Sequence, residues 1–281
     1  MSNECTFQSR VFKKTVPVLF SLLLGTYSSH SVRAQSASQS NSSGLSVSKP
    51  LEGQVQLDEK LPPASPNFGV GNKLDSKDLE SQTPGNVWHI IPKWMAGKWH
   101  SDEEVVSHVH DFHTGEDVQL SIHQKAVSDQ SYGDQRDKSG QIWSFDGVPN
   151  TSKTETANGM TYFVTSKFDR GLPCESNYAS KSRFDEIQVN KKGKIARIAQ
   201  CEQLSTFEQI DDGMMKNHAV AKVFDALGNP VLLQEGDVLW KRSAPYQNKD
   251  QKGDLDLKKL FVEFLRQSGV WRQVFLPVAT V

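Results

Sequence analysis

The sequence predicts a mostly β fold, an antiparallel up-and-down barrel of about eight strands with one helix near its C-terminal end. Three observations carry this. Apolar residues recur with period two through most of the chain after residue 86, the links between those stretches are short, and a single late stretch has helical spacing. Val118, Leu120 and Ile122 alternate with Gln119, Ser121 and His123, while Tyr162, Val164 and Phe168 share a face, as half-buried strands require.

The same reading places strands near 98–112, 117–125, 140–145, 160–168, 182–190, 194–209, 217–224 and 231–242. Asn190-Lys-Lys-Gly193 and Leu227-Gly-Asn-Pro230 are turn-like, and His113-Thr-Gly-Glu116 suits a hairpin, so the strands pair antiparallel as a meander. The helix is expected near 254–268. Asp254 is its expected N-cap, Leu257, Leu260, Phe261, Phe264 and Leu265 form one apolar stripe, and Gly269 stops it. Residues 270–276 read as a closing strand or an extended tail. One helix covers one side of a meander at most, so closure into a barrel is the economical way to remove the remaining edges.

Ahead of this domain, expected over 86–281, lie two segments of different composition. Arg10, Lys13 and Lys14 precede the apolar run 16–25, and Val32-Arg33-Ala34 follows, the order that marks a cleavable secretory signal over 1–34. The run is too short for a bilayer-spanning helix, so no membrane span is expected after cleavage. Residues 35–85 are rich in Ser, Gln and Pro and contain Phe68 as their one aromatic, which predicts a disordered linker, either a passive spacer or a tether for a protein partner. The destination is the periplasm or the extracellular fluid.

Charge and cysteine usage narrow the function. The first 34 residues carry four basic side chains and one acidic, so the net charge of −1 becomes −4 once they are removed. A mildly acidic chain without blocks of like charge argues against nucleic acid as a partner. Cys174 and Cys201, 27 residues apart, are the cysteines left after cleavage. In an oxidising compartment they predict a disulfide worth about 3–4 kcal/mol, the alternative being two separate buried thiols.

The chain contains no Gly-x-Ser-x-Gly elbow, His-Glu-x-x-His helix, Cys-x-x-Cys, phosphate loop or dinucleotide fingerprint. Adjacent carboxylates such as Glu103-Glu104 and Asp211-Asp212 point to opposite faces of a strand and cannot share one proton. An enzyme is therefore the lesser expectation, no catalytic residue is assigned, and no cofactor is identified. His108 and His110, with His123 on the next strand, form the one candidate metal site, against the simpler reading of solvated histidines.

Gly97-Lys98-Trp99, just after Ile91-Pro-Lys-Trp-Met95 and at the head of the first long strand, resembles the Gly-x-Trp opening of lipocalins. Strand count and late helix are similar too, and Val238 to Arg242 resembles the closing strand of calycin-type barrels. The resemblance implies structural roles for Gly97 and Trp99, with Arg242 or Arg272 set against Trp99. It further implies a small apolar ligand inside the barrel, with Trp143, Tyr162, Phe163, Phe168 and Trp240 as wall residues. Two functions follow: an exported lipocalin-like binding protein, or an envelope or secreted interaction protein whose barrel is solid and whose linker reaches a partner.

Overall fold

Long alternating stretches become long strands, and the length of those strands makes the sheet curl. The computed structural model describes residues 56–80, 85–148, 150–156, 158–171 and 174–268. The leader expected over 1–34, the stop at Gly269 and the stretch 270–276 with Arg272 lie outside the described residues. The strands are β1 (Gly85–Ile91), β2 (Gly97–Asp111), β3 (Asp117–Tyr132), β4 (Gln135–Arg136), β5 (Ile142–Val148), β6 (Asn150–Thr156), β7 (Gly159–Arg170), β8 (Asn177–Asn190), β9 (Ile195–Asp211), β10 (Met214–Phe224), β11 (Pro230–Ala244), β12 (Gln251–Lys252) and β13 (Leu255–Asp256). The helices are α1 (Ser76–Glu80) and α2 (Leu257–Gln267).

Eight of these strands form one antiparallel sheet in the order β3-β2-β11-β10-β9-β8-β7-β6. The pairing of β11 with β2 is the link by which a meander returns to its start, yet β3 and β6 are left as edges. The sheet is a curled half-barrel with one open seam. The chain between β3 and β6 explains the seam: β4 and β5 leave the curl and pair with β1 as a second sheet, in the order β1-β5-β4. The strand expected near 140–145 thus exists, but outside the barrel.

Helix α2 covers the second sheet. Leu257, Phe261 and Leu265 are buried with Trp88, Trp143 and Phe145. The N-cap is Asp256 rather than Asp254, its carboxylate accepting from the Lys259 N–H at 2.9 Å, because β12 and β13 use the preceding residues as a small hairpin.

The expected linker is structured over residues 56–80. Leu61, Phe68 and Leu79 are buried, the last two in a cluster with Val164, Ile187 and Ile198 on the outer face of the curl. The backbone of this strap finds partners in the sheet: Leu61 N–H donates to Gly228 O at 2.9 Å, Gly71 N–H to Ile195 O at 2.8 Å, and Ile195 N–H to Asn72 O at 2.8 Å. A few apolar residues suffice here because the sheet supplies the rest of the surface they bury.

Asp58 anchors the strap electrostatically. Its carboxylate lies 2.8 Å from Lys181 and 2.5 Å from Arg183, and its N–H donates to Glu202 at 2.7 Å. Glu202 is fully buried and also meets Lys181 at 3.0 Å and Arg183 at 2.6 Å. Glu202 is the buried member of this network, and removing a basic partner from it costs about 3–5 kcal/mol, whereas the Asp58 side chain is partly exposed and ties the strap to the same cations.

Cys174 and Cys201 are not bonded to each other, contrary to the disulfide expected. Cys174 sits beside Asn177, which pairs with Glu208 on β9, whereas Cys201 lies seven residues further along that strand. That spacing is about 23 Å at the rise of a β-strand, far beyond a disulfide's reach. Cys201 is instead a small apolar residue of the inner core, its thiol held well above the ordinary range by burial.

Candidate functional site

The inner face of the curl has large residues at both ends and small ones between. Around one end lie Trp99, Phe207, Met215, Val238 and Trp240, and around the other Val106, Phe163, Phe184, Cys201 and Val223. Between them, ladder partners run Ser180, Ser205, Ala219 and Gly236 across β8, β9, β10 and β11. The next inner row is Phe168, Ser182, Gln203, Ala221 and Gln234. Side chains this short cannot fill a half-barrel, and a cavity of about 790 Å³ opens above them.

The second sheet forms the opposite wall. His89 and Ile91 of β1, Ser144 and Asp146 of β5, and Lys249 and Lys252 line the cavity across from the curl, while the Phe145 side chain turns to α2. A polar cluster stands where the two sheets meet. Arg170 pairs with Asp146 and lies over the Phe168 ring, 4.2 Å from its centroid, while His89 Nδ1 is 3.2 Å from the same carboxylate. Burial pushes the His89 imidazole down to about 4, with the Arg170 charge adding to it against Asp146 and Asp134, so His89 is neutral at pH 7. Asp134 is engaged on both oxygens, with Lys249 Nζ at 2.8 Å and the Phe145 N–H at 2.8 Å.

Besides His89 Nδ1, three side-chain atoms of the cavity wall are buried with no hydrogen-bond partner among the described residues: Arg170 Nε, Tyr178 Oη and Asn217 Oδ1. Asn217 is 1% exposed and Tyr178 3%. Both flank Phe207 in one ladder row. Burial raises the Tyr178 phenol to about 12, so it stays a donor.

Of the wall residues expected from the sequence, Phe163 and Phe168 line the cavity. Tyr162 does not. As the neighbour of Phe163 it must point to the opposite face, where it packs beneath the strap near Phe68. Trp143 belongs to the second sheet and is buried against Phe261. Trp240 is fully buried in the core around Trp99 rather than at the cavity surface.

Gly97, Trp99 and Arg242 meet at the base of the curl. Arg242 lies over the Trp99 ring, 4.3 Å from its centroid, and donates to the carbonyls of Trp94 and Ala96. Gly97 has φ +137°, and a Cβ there would meet Arg242 Nη1 at 2.7 Å.

The histidines expected to converge on a metal do not. His108 bridges Glu235 at 3.1 Å and Asp117 at 2.8 Å, His110 shares Asp117 at 3.1 Å, and His123 turns to Glu103 at 2.8 Å. His108 lies opposite Gln119, whereas His123 lies opposite Val105, three residues earlier on β2, so the two imidazoles stand about 10 Å apart along the strands. Among the described residues no group of three or more His, Cys, Asp or Glu is arranged to hold a metal.

The comparisons with known proteins found no matching family model, no matching curated protein and no matching solved structure. Among the described residues no helix is long and apolar enough to cross a membrane.

Proposed function

We propose that the protein is an exported, lipocalin-like carrier that holds one small, largely apolar ligand between the curled sheet and the small second sheet. The observation that carries this reading is the row of short side chains at Ser180, Ser205, Ala219 and Gly236, set between aromatic ends. A sheet selected only to pack would place branched residues there, since interiors fill to near crystal density. The cavity volume of about 790 Å³ falls in the range of ligand sites. Trp99, Phe163, Phe168, Phe184 and Phe207 supply an apolar wall, and a few polar groups converge on it.

Titration with the fluorescent apolar probe N-phenyl-1-naphthylamine tests the reading. The full chain is expected to bind it saturably, one per chain. Ser180→Phe and Ser182→Phe, which place a ring over the floor at half-buried positions, are expected to weaken binding at least tenfold while leaving the far-ultraviolet spectrum unchanged. Probe emission that never saturates, or that both variants leave untouched, overturns it.

A further inference from the structure

The outer face of β10, β11, β2 and β3 carries His100, His108, His110, His123 and His218, and each meets a carboxylate across a strand boundary. His218 on β10 lies 3.0 Å from Asp237 and 4.0 Å from Glu235 on β11. Glu235 in turn lies 3.1 Å from His108 on β2, which reaches Asp117 on β3 at 2.8 Å, and Asp117 holds His110 at 3.1 Å. Shared carboxylates thus link four strands in one chain of groups. Two further pairs join β2 to β3 alone, His100 with Asp129 at 2.8 Å and His123 with Glu103 at 2.8 Å.

Strand β3 is where such links matter. It is an edge of the curl, hydrogen-bonded to β2, and among the described residues no strand takes its other side. Its far end, Asp129 to Tyr132, lines the cavity. The ladder that holds it is interrupted between Ser101 and Glu103 and again between Val106 and His108. His100 precedes the first interruption and His108 follows the second, so side-chain bridges stand where backbone pairing is broken.

Isolated surface pairs contribute little, whereas a network with partly buried members contributes more. The His108 and Glu235 side chains are 15% and 22% exposed. The other charges on this face leave the balance acidic. Asp102 lies 3.1 Å from the second nitrogen of His100, and Asp111 follows His110. Against these, Lys241 stands opposite His100, Lys125 opposite Glu103, and Lys216 shares Asp237 at 3.2 Å. Lys222, two strands from His110, is engaged by the strap through Asp58 O. An acidic surround favours the charged imidazole. Hydrogen bonds to Asp129 and Asp102 hold His100 above its ordinary value; for His108 burial opposes the charge, and the bonds to Glu235 and Asp117 outweigh it.

We propose that these pairs form a proton-operated clamp, which grips edge strand β3 to the rest of the curl at mildly acid pH and slackens it as pH rises past neutral. The sign follows from the chemistry. With imidazoles protonated and carboxylates ionised, every link is a charge-assisted hydrogen bond; once the imidazoles lose their protons the links are about half as strong. The edge that slackens includes the cavity rim at Asp129, yet the clamp is read without any ligand and stands or falls independently of the carrier reading.

Amide hydrogen exchange of the full chain at about pH 5.5 and about pH 8, corrected for the intrinsic rate at each, tests it. The internal reference is β9, a central strand without histidine. Protection of the β3 amides bonded to β2 is expected to fall about fivefold relative to β9 between the two values, the scale of a few networked surface pairs. Asp117→Asn keeps the side-chain shape and removes its charge; it should flatten the pH dependence over residues 117–122 and leave 128–132 responsive. Asp129→Asn should do the converse. Protection of β3 that tracks β9 or rises with pH overturns the clamp, as does a pH dependence that both variants keep in full or that either abolishes along the whole strand.

Discussion

The Arg242 guanidinium lies over the Trp99 ring, 4.3 Å from its centroid, and its three nitrogens donate to the carbonyls of Ala96, Trp94 and Asp212. One side chain thus joins the last long strand of the curl to the turn that precedes its first.

Losing that side chain leaves three carbonyls without their donor and uncovers a fully buried tryptophan. Arg242→Ala is expected to lower stability by about 2–4 kcal/mol. Arg242→Lys should recover less than half of that, because an ammonium cannot reproduce the planar fork. Urea unfolding monitored by tryptophan emission measures both, and full rescue by lysine would reduce the contact to simple charge.

The strap makes a second, separable prediction. Gly228 and Gly193 both have positive φ, +81° and +75°, but a Cβ on Gly228 would sit 1.9 Å from the Leu61 carbonyl oxygen, while one on Gly193 meets nothing within 4 Å. Alanine at Gly193 is expected to cost about 1–2 kcal/mol for the left-handed backbone alone. Alanine at Gly228 should cost more, and it should open residues 56–80 to protease at concentrations that leave the Gly193→Ala chain intact. Equal protection of the strap in both variants would mean that it is not seated on Gly228.

Two histidines are expected to give opposite pH dependences. His89 has its folded pKa pushed down to about 4 from an ordinary 6.5, so the unfolded chain binds the extra proton between those values. Stability therefore falls as pH drops through that window, by about 3 kcal/mol at most from this group, and His89→Gln should abolish that slope. For His108, burial opposes the charge, yet the hydrogen bonds it donates to the Glu235 and Asp117 carboxylates outweigh burial and hold the pKa above the ordinary value. Its contribution is complete below about pH 6.5 and is lost as pH rises through the folded pKa, so the difference in stability between the natural chain and His108→Gln should shrink as pH rises above about 6.5. Thermal unfolding of the three chains across pH 4–8 measures both slopes; matching signs would contradict the assignment.

The strands were legible because alternation is written locally. Val118, Leu120 and Ile122 mark an inner face without reference to any other part of the chain. Closure was not, since the seam depends on β5 pairing with β1, a choice between two partners that the sequence of either strand leaves open. The strap was missed for a similar reason: Leu61 and Phe68 look isolated along the chain and become core only against Val164 and Ile187 of the sheet. The cavity floor did leave a signal. Within Tyr178-Ala-Ser-Lys-Ser-Arg-Phe184 the inward positions read Tyr, Ser, Ser, Phe, a gap of small residues inside an otherwise bulky face. Attention to large aromatics instead of to missing bulk put Tyr162, Trp143 and Trp240 on the wall and left Ser180, Ser205 and Asn217 out.

The most direct measurement is native mass spectrometry of the freshly isolated full chain, before and after incubation with excess 1-decanol. The account predicts one added small molecule per chain, either retained from the producing cell or taken up as decanol, and none in Ser180→Phe. A natural chain that stays at its bare mass under both conditions, or a Ser180→Phe chain that binds equally well, would contradict the claim that the half-barrel is a ligand site.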